Sequence, residues 1–143
     1  TKKWFADYIL WLNTSKNGVT EKLAKNNHGV CWAMQVASFA KLCNDQPMLD
    51  SLRTSYKTML EKQMATNGSF PLELARTKPY GYSIFNLDAF TMLCQILSTP
   101  KDNLWKFETV DGRSILKGIT YLYPVDSGKG KEDPNFGMSC ARR

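Results

Sequence analysis

The chain has 143 residues, of which 43% are hydrophobic and 22% charged, and its formal net charge is +6. That length and balance exclude a disordered chain and give one domain able to bury a core of its own. No apolar run reaches the length of a membrane span: Ser83 to Leu97 comes nearest, and Asn86, Asp88 and Gln95 interrupt it.

A positive balance favours an acidic partner. The lysines are scattered, however, and Lys129-Gly130-Lys131 is the one tight cluster. Without a block of five or more like charges a nucleic-acid arm is not expected, whereas a polyanionic carbohydrate suits diffuse basicity. The start, Thr1-Lys2-Lys3-Trp4, does not read as a signal peptide. Cys31, Cys43, Cys94 and Cys140 form no Cys-x-x-Cys pair, and a single histidine cannot complete a zinc pattern. The first three lie in apolar helical runs and are expected to be buried thiols, with a disulfide to Cys140 left open.

In chain order, Lys3 to Asn13 carries Trp4, Tyr8, Trp11 and Leu12 at helical spacing, and Asn13 to Gly18 supplies turn chemistry. Thr20 caps a short turn through Leu23. Gly29 to Leu42 is apolar on nearly every face, as a helix buried on most sides is. Asn44-Asp45-Gln46-Pro47 ends it, with Pro47 suited to the first turn of the next helix. Met48 to Met64 is amphipathic, and Thr66-Asn67-Gly68-Ser69 is a turn.

Phe70 to Tyr82 holds Pro71, Pro79 and Gly81 together with Glu73, Arg76 and Lys78, and reads as a shaped loop between rigid helices. Ser83 to Leu97 is the next helix, Asp102 to Phe107 one turn, and Ile115 to Tyr123 the last helix. Residues 1–124 thus form the helical domain, and 125–143, rich in Gly, Lys, Asp and Ser, an extended or poorly ordered tail. No alternating strand pattern occurs, so the fold class is all-α, built of antiparallel helix pairs, with a spacing compatible with a toroid or solenoid.

The polar residues that carry chemistry fall in two places. Asn26-Asn27-His28-Gly29 precedes the buried helix and holds the only histidine; Arg76 and Tyr82 lie some fifty residues on. A guanidinium beside a phenol stabilises the phenolate and lowers its pKa from about 10 toward neutrality, which suits a general acid or base. His28 is a second base if it faces the same cleft. Asn27, with Arg76, can neutralise a substrate carboxylate and so acidify the carbon next to it. Asn, His, Arg and Tyr together suit β-elimination from a uronic acid, and this set requires no metal or cofactor. The bland readings are an Asn cap at a helix start, an ion pair between Arg76 and Glu73 one turn apart, and a Tyr82 that only packs.

Asn26-Asn27-His28-Gly29, with Trp32 just after it, resembles the Asn-Asn-His motif of the alginate lyase family and its uronan-lyase relatives. Gly68 to Thr77, then Tyr82-Ser83-Ile84-Phe85-Asn86-Leu87, resembles that family's second signature. The resemblance extends over roughly Trp4 to Pro124. It implies part of an incomplete α/α toroid, an anionic polysaccharide substrate, and a secreted or periplasmic setting. It further implies that Asn27 neutralises the uronate carboxylate, His28 is or assists the base, Arg76 supports charge and Tyr82 is the acid, or acid and base. Tyr80 is the alternative tyrosine; Tyr82 is preferred because it directly precedes the Ser-x-Phe-Asn-Leu match. Asn26, Trp32, Glu73 and Tyr80 complete the candidate substrate-binding set, with Trp32 and Tyr80 as sugar platforms, and Trp4, Trp11 and Trp105 are expected as core or packing residues. Family members are usually much longer, so this chain is expected to be a partial toroid. The competing reading is a non-catalytic carbohydrate-binding or scaffold protein with the same helices.

Overall fold

A computed structural model describes residues 1–122. The expected tail, with Cys140 in it, lies outside the described residues. Within them the chain forms seven α-helices and a short 3-10 turn, Leu104–Lys106, and no strand beyond one isolated bridge between Glu108 and Ser114. The helices are α1 (Lys2–Thr14), α2 (Lys16–Lys22), α3 (Asn27–Cys43), α4 (Gln46–Gln63), α5 (Pro71–Leu74), α6 (Pro79–Leu97) and α7 (Ile115–Leu122).

Helices α3 and α6 are the central pair, and α1, α2 and α4 pack on α3. Ala33, Ala37 and Ala40 recur at i, i+4 and i+7 on α3 and are fully buried, so this face brings neighbouring helices close. From α6, Leu87, Phe90, Leu93, Cys94 and Leu97 enter the same core, and from α4 Leu52, Tyr56 and Leu60 do, spaced one turn apart. The Phe70 and Phe90 rings stack at 5.8 Å between centroids, joining the segment before α5 to α6. Arg53 of α4 donates from Nε to the Leu97 carbonyl at 2.8 Å, placing a cation on the last turn of α6.

The helix boundaries follow local chemistry. Asn44 ends α3 in the left-handed region (φ 59°, ψ 35°), a conformation asparagine adopts more readily than other side-chain-bearing residues. Asp45 then accepts from the Met48 N–H and caps α4. Two sequence expectations shift. The turn expected over Asn13 to Gly18 narrows to Ser15, whose hydroxyl accepts from the Gly18 N–H and starts α2 at once. This is possible because Gly18 has no Cβ; one would stand 2.4 Å from the Leu12 carbonyl oxygen. The expected loop over Phe70 to Tyr82 is partly helical: Pro71 and Pro79 each sit in a first turn, where a missing N–H costs nothing, so α6 begins before Tyr80 and Tyr82.

Of the cysteines, Cys94 is buried, whereas Cys31 and Cys43 are half-buried, so the expected burial holds fully only for the first of these. Cys94 lies 3.0 Å from the Tyr56 hydroxyl inside the core, and burial pushes its thiol up to about 11 and the Tyr56 phenol upward as well. Of the core and packing alternatives for Trp4, Trp11 and Trp105, none of the three enters the core, and Trp4 and Trp11 pack. Trp4 is 61% exposed, and Trp11 and Trp105 are exposed too, while Trp32 is 6% exposed. Helical spacing gives Trp4 and Trp11 a shared face with Tyr8, and their rings stack on it, but only Tyr8 turns inward, against Phe39 of α3, while the two tryptophans stay exposed.

Candidate active site

The first motif is a helix start. Asn26 is the N-cap of α3, its side-chain oxygen accepting from the His28 N–H at 3.2 Å, so that oxygen serves the backbone rather than a ligand. Gly29 is required on steric grounds: a Cβ there would stand 2.3 Å from the Ala24 carbonyl oxygen, a backbone atom. The tight entry of the chain into α3 therefore leaves no room for a side chain after His28.

Asn27 is the first residue of the helix and is 4% exposed. Its N–H donates at 2.7 Å to Oε1 of Glu73, on α5. A carboxylate on the positive end of a long helix is a favourable placement, and the bond is charge-assisted. Glu73 is 1% exposed. The structure thus gives it a different job from the substrate contact expected of it: it is a buried strut that fixes the second signature to the first. The same junction is tied again through Gln63 of α4, whose Nε2 donates to the Asn26 carbonyl at 3.2 Å and whose Oε1 accepts from Asn86 Nδ2 at 3.2 Å. Asn27 Oδ1, Glu73 Oε2, Ser83 Oγ and Asn86 Oδ1 are buried here without hydrogen-bond partners. Such unsatisfied groups are destabilising, and their grouping where the two motifs meet marks this as more than a packing junction.

The second motif supplies a cation and a phenol. Arg76 follows Glu73 by one turn, its N–H bonded to the Glu73 carbonyl at 3.1 Å. The Arg76 guanidinium carbon lies 4.1 Å from the centroid of the Tyr82 ring. Arg76 forms no ion pair with Glu73 among the described contacts, so the guanidinium is directed to the tyrosine. Tyr82 is half-buried and lines a depression with Lys78, Gly81 and Phe85. Tyr80 is 43% exposed on the same first turn of α6.

His28 is exposed and lines a different depression from Tyr82. Its Nδ1 is 2.8 Å from Oε2 of Glu21, in the last turn of α2. The pair borders a small pocket with Trp11, Cys31 and Trp32. Burial raises the Cys31 thiol, and the Glu21 and Glu73 carboxylates push it further the same way, so both acids act on this spot. Trp32 is fixed by its indole N–H, which donates to the Leu12 carbonyl at 3.1 Å, with the Lys22 ammonium 5.0 Å from the ring. The residue is 6% exposed and so offers this pocket little open surface.

Among the described residues, then, Asn27 meets Glu73 and Arg76 meets Tyr82, while no hydrogen bond, ion pair or ring contact joins His28 to Arg76 or Tyr82. No group of three or more His, Cys, Asp or Glu side chains converges as a metal site among them. Glu21, Gln63 and Asn86 escaped the sequence reading as site residues. Glu21 lies on another helix with no periodic relation to His28, and Gln63 looks like any polar position of an amphipathic helix. Asn86 alone carried a signal, since it falls inside the Ser-x-Phe-Asn-Leu match.

The fold and these two polar motifs define an all-α helical protein in which a helix start and an arginine–tyrosine pair are braced by a buried carboxylate. Comparison with solved structures found an alginate lyase from Bacteroides ovatus, with a TM-score of 0.80 and 34% sequence identity. The match covers 85% of this chain and 32% of that one, so the chain spans about a third of its length. The family model described as alginate lyase matches residues 1–132. The chain belongs to the alginate lyase family. Comparison with curated proteins found no match.

Proposed function

We propose that the chain carries the catalytic motifs of a lyase that cleaves a uronate-containing anionic polysaccharide, such as alginate or glucuronan, by β-elimination. Asn27 and Arg76 take the uronate carboxylate and stabilise the charge that spreads into it when the C5 proton leaves. The proton goes to His28 or Tyr82. The electron pair of the C5–H bond forms the C4–C5 double bond as the C4–O bond breaks, and the departing oxygen takes a proton from Tyr82. A secreted or periplasmic setting fits a polymeric substrate.

The observation that carries this reading is the guanidinium of Arg76 over the Tyr82 ring, 4.1 Å from its centroid, on a segment tied to the Asn27 backbone by Glu73. The cation–π contact holds the phenol and the cation side by side, so one segment presents both a proton-carrying hydroxyl and a charge for the substrate carboxylate. Family membership supports the same chemistry.

The test is the ultraviolet absorbance of the unsaturated uronate end. Tyr82→Phe is expected to lower its rate of appearance by at least about 100-fold with helical content unchanged. The two separate depressions at His28 and Tyr82 favour one rival, a protein that binds uronans without turnover. That rival wins if neither this chain nor one extended to the length of the Bacteroides protein releases unsaturated product, while both still bind the polymer.

A further inference from the structure

We infer that Glu21 is a positioning residue that locks the His28 imidazole as its Nδ1–H tautomer, so that Nε2 carries the lone pair. The inference deepens the proposed function, on which only its catalytic meaning rests.

An ionised carboxylate can accept hydrogen bonds and cannot donate them. At 2.8 Å from Glu21 Oε2, the His28 Nδ1 must therefore be the nitrogen that bears the proton. In the neutral ring the remaining nitrogen, Nε2, is then a base with a free electron pair. Both ends of this contact are held. Glu21 belongs to α2, which is fixed to α1 where Gly18 meets the Leu12 backbone. His28 follows the capped first residue of α3, and its own N–H is bonded to Asn26. The two side chains are each about half exposed, so the pair sits at a surface a substrate can reach.

The geometry sets the direction of the first proton transfer. A histidine held this way offers Nε2, the nitrogen turned away from Glu21, as the atom that takes a proton. It is set up as the base, which leaves protonation of the departing oxygen to Tyr82.

Because His28 is the only histidine in the chain, one imidazole gives the whole signal in a long-range 1H–15N correlation spectrum of the full 143-residue protein. At a pH where the ring is neutral, Nε2 is expected to show the shift of an unprotonated nitrogen and Nδ1 that of a protonated one. Glu21→Leu removes the acceptor and is expected to invert the pattern toward the Nε2–H form, while Glu21→Gln, whose amide oxygen still accepts, retains it. A wild-type ring already in the Nε2–H form overturns the inference, and so does a Glu21→Leu ring with an unchanged pattern. Since no turnover is measured, an inactive protein with the expected spectra would count against the lyase reading and leave the role of Glu21 standing.

Discussion

A carboxylate that accepts a backbone N–H inside the protein holds structure in a way that one facing solvent does not. Glu73 is of the first kind, and removing it strands the Asn27 N–H at the start of α3. Glu73→Ala is therefore expected to lower stability by about 1–3 kcal/mol, measured by urea unfolding. The guanidinium of Arg76 lies over the Tyr82 ring, its carbon 4.1 Å from the centroid. Lysine keeps the charge but is a compact ammonium that cannot stack in that way. Arg76→Lys is expected to leave the unfolding midpoint within about 0.5 kcal/mol of the parent and yet reduce formation of unsaturated product, a split that separates charge from geometry.

At the scale of elements, the two ends of α3 each depend on one residue. Gly29→Ala places a Cβ against the Ala24 carbonyl, and backbone there cannot step aside cheaply. A loss of about 1–3 kcal/mol is expected, with a shifted His28 resonance reporting that the start of α3 has moved. Asn44→Val puts a β-branched residue at φ 59° and should cost about 1–2 kcal/mol, whereas Asn44→Gly should be nearly neutral, both read from thermal unfolding. These ends also show what the sequence could reveal. The apolar run after Gly29 and the long helix after Pro47 were legible because burial repeats with the helical period. The starts of α2 and α6 were not, because Asn17-Gly18 and Pro79 look like breakers until Ser15 caps one helix and a first-turn proline opens the other. Asn27, His28, Arg76 and Tyr82 were singled out as candidates by their chemistry and by resemblance, but the burial of Glu73 and the pairing of Glu21 with His28 depend on contacts between helices that no local pattern encodes.

For the molecule as a whole, the core holds two groups whose ionisation is opposed by burial. Cys94 is pushed from an ordinary thiol value of 9.0 up to about 11, and Tyr56 is raised with it. A folded value above the unfolded one means the unfolded chain gives up its proton first. The contribution to stability is therefore complete below about pH 9 and is lost as pH climbs toward 11. Unfolding midpoints followed from pH 8 to 11 are expected to fall, and to fall less steeply in Cys94→Ser, which keeps a hydroxyl partner for Tyr56 without a thiol to ionise in that range.

The brace through Asn26, Glu73, Gln63 and Asn86 has a consequence for engineering. It draws on α4, α5, α6 and the start of α3, and much of its polar surface is hidden from solvent. Transplanting Asn27, His28, Arg76 and Tyr82 onto another pair of helices would carry the proposed catalytic set without the contacts that hold Asn27 in place. A minimal graft must bring Glu73, both buried carboxamides and the Glu21 that holds His28 along, so the smallest portable unit here is five segments of chain rather than four side chains.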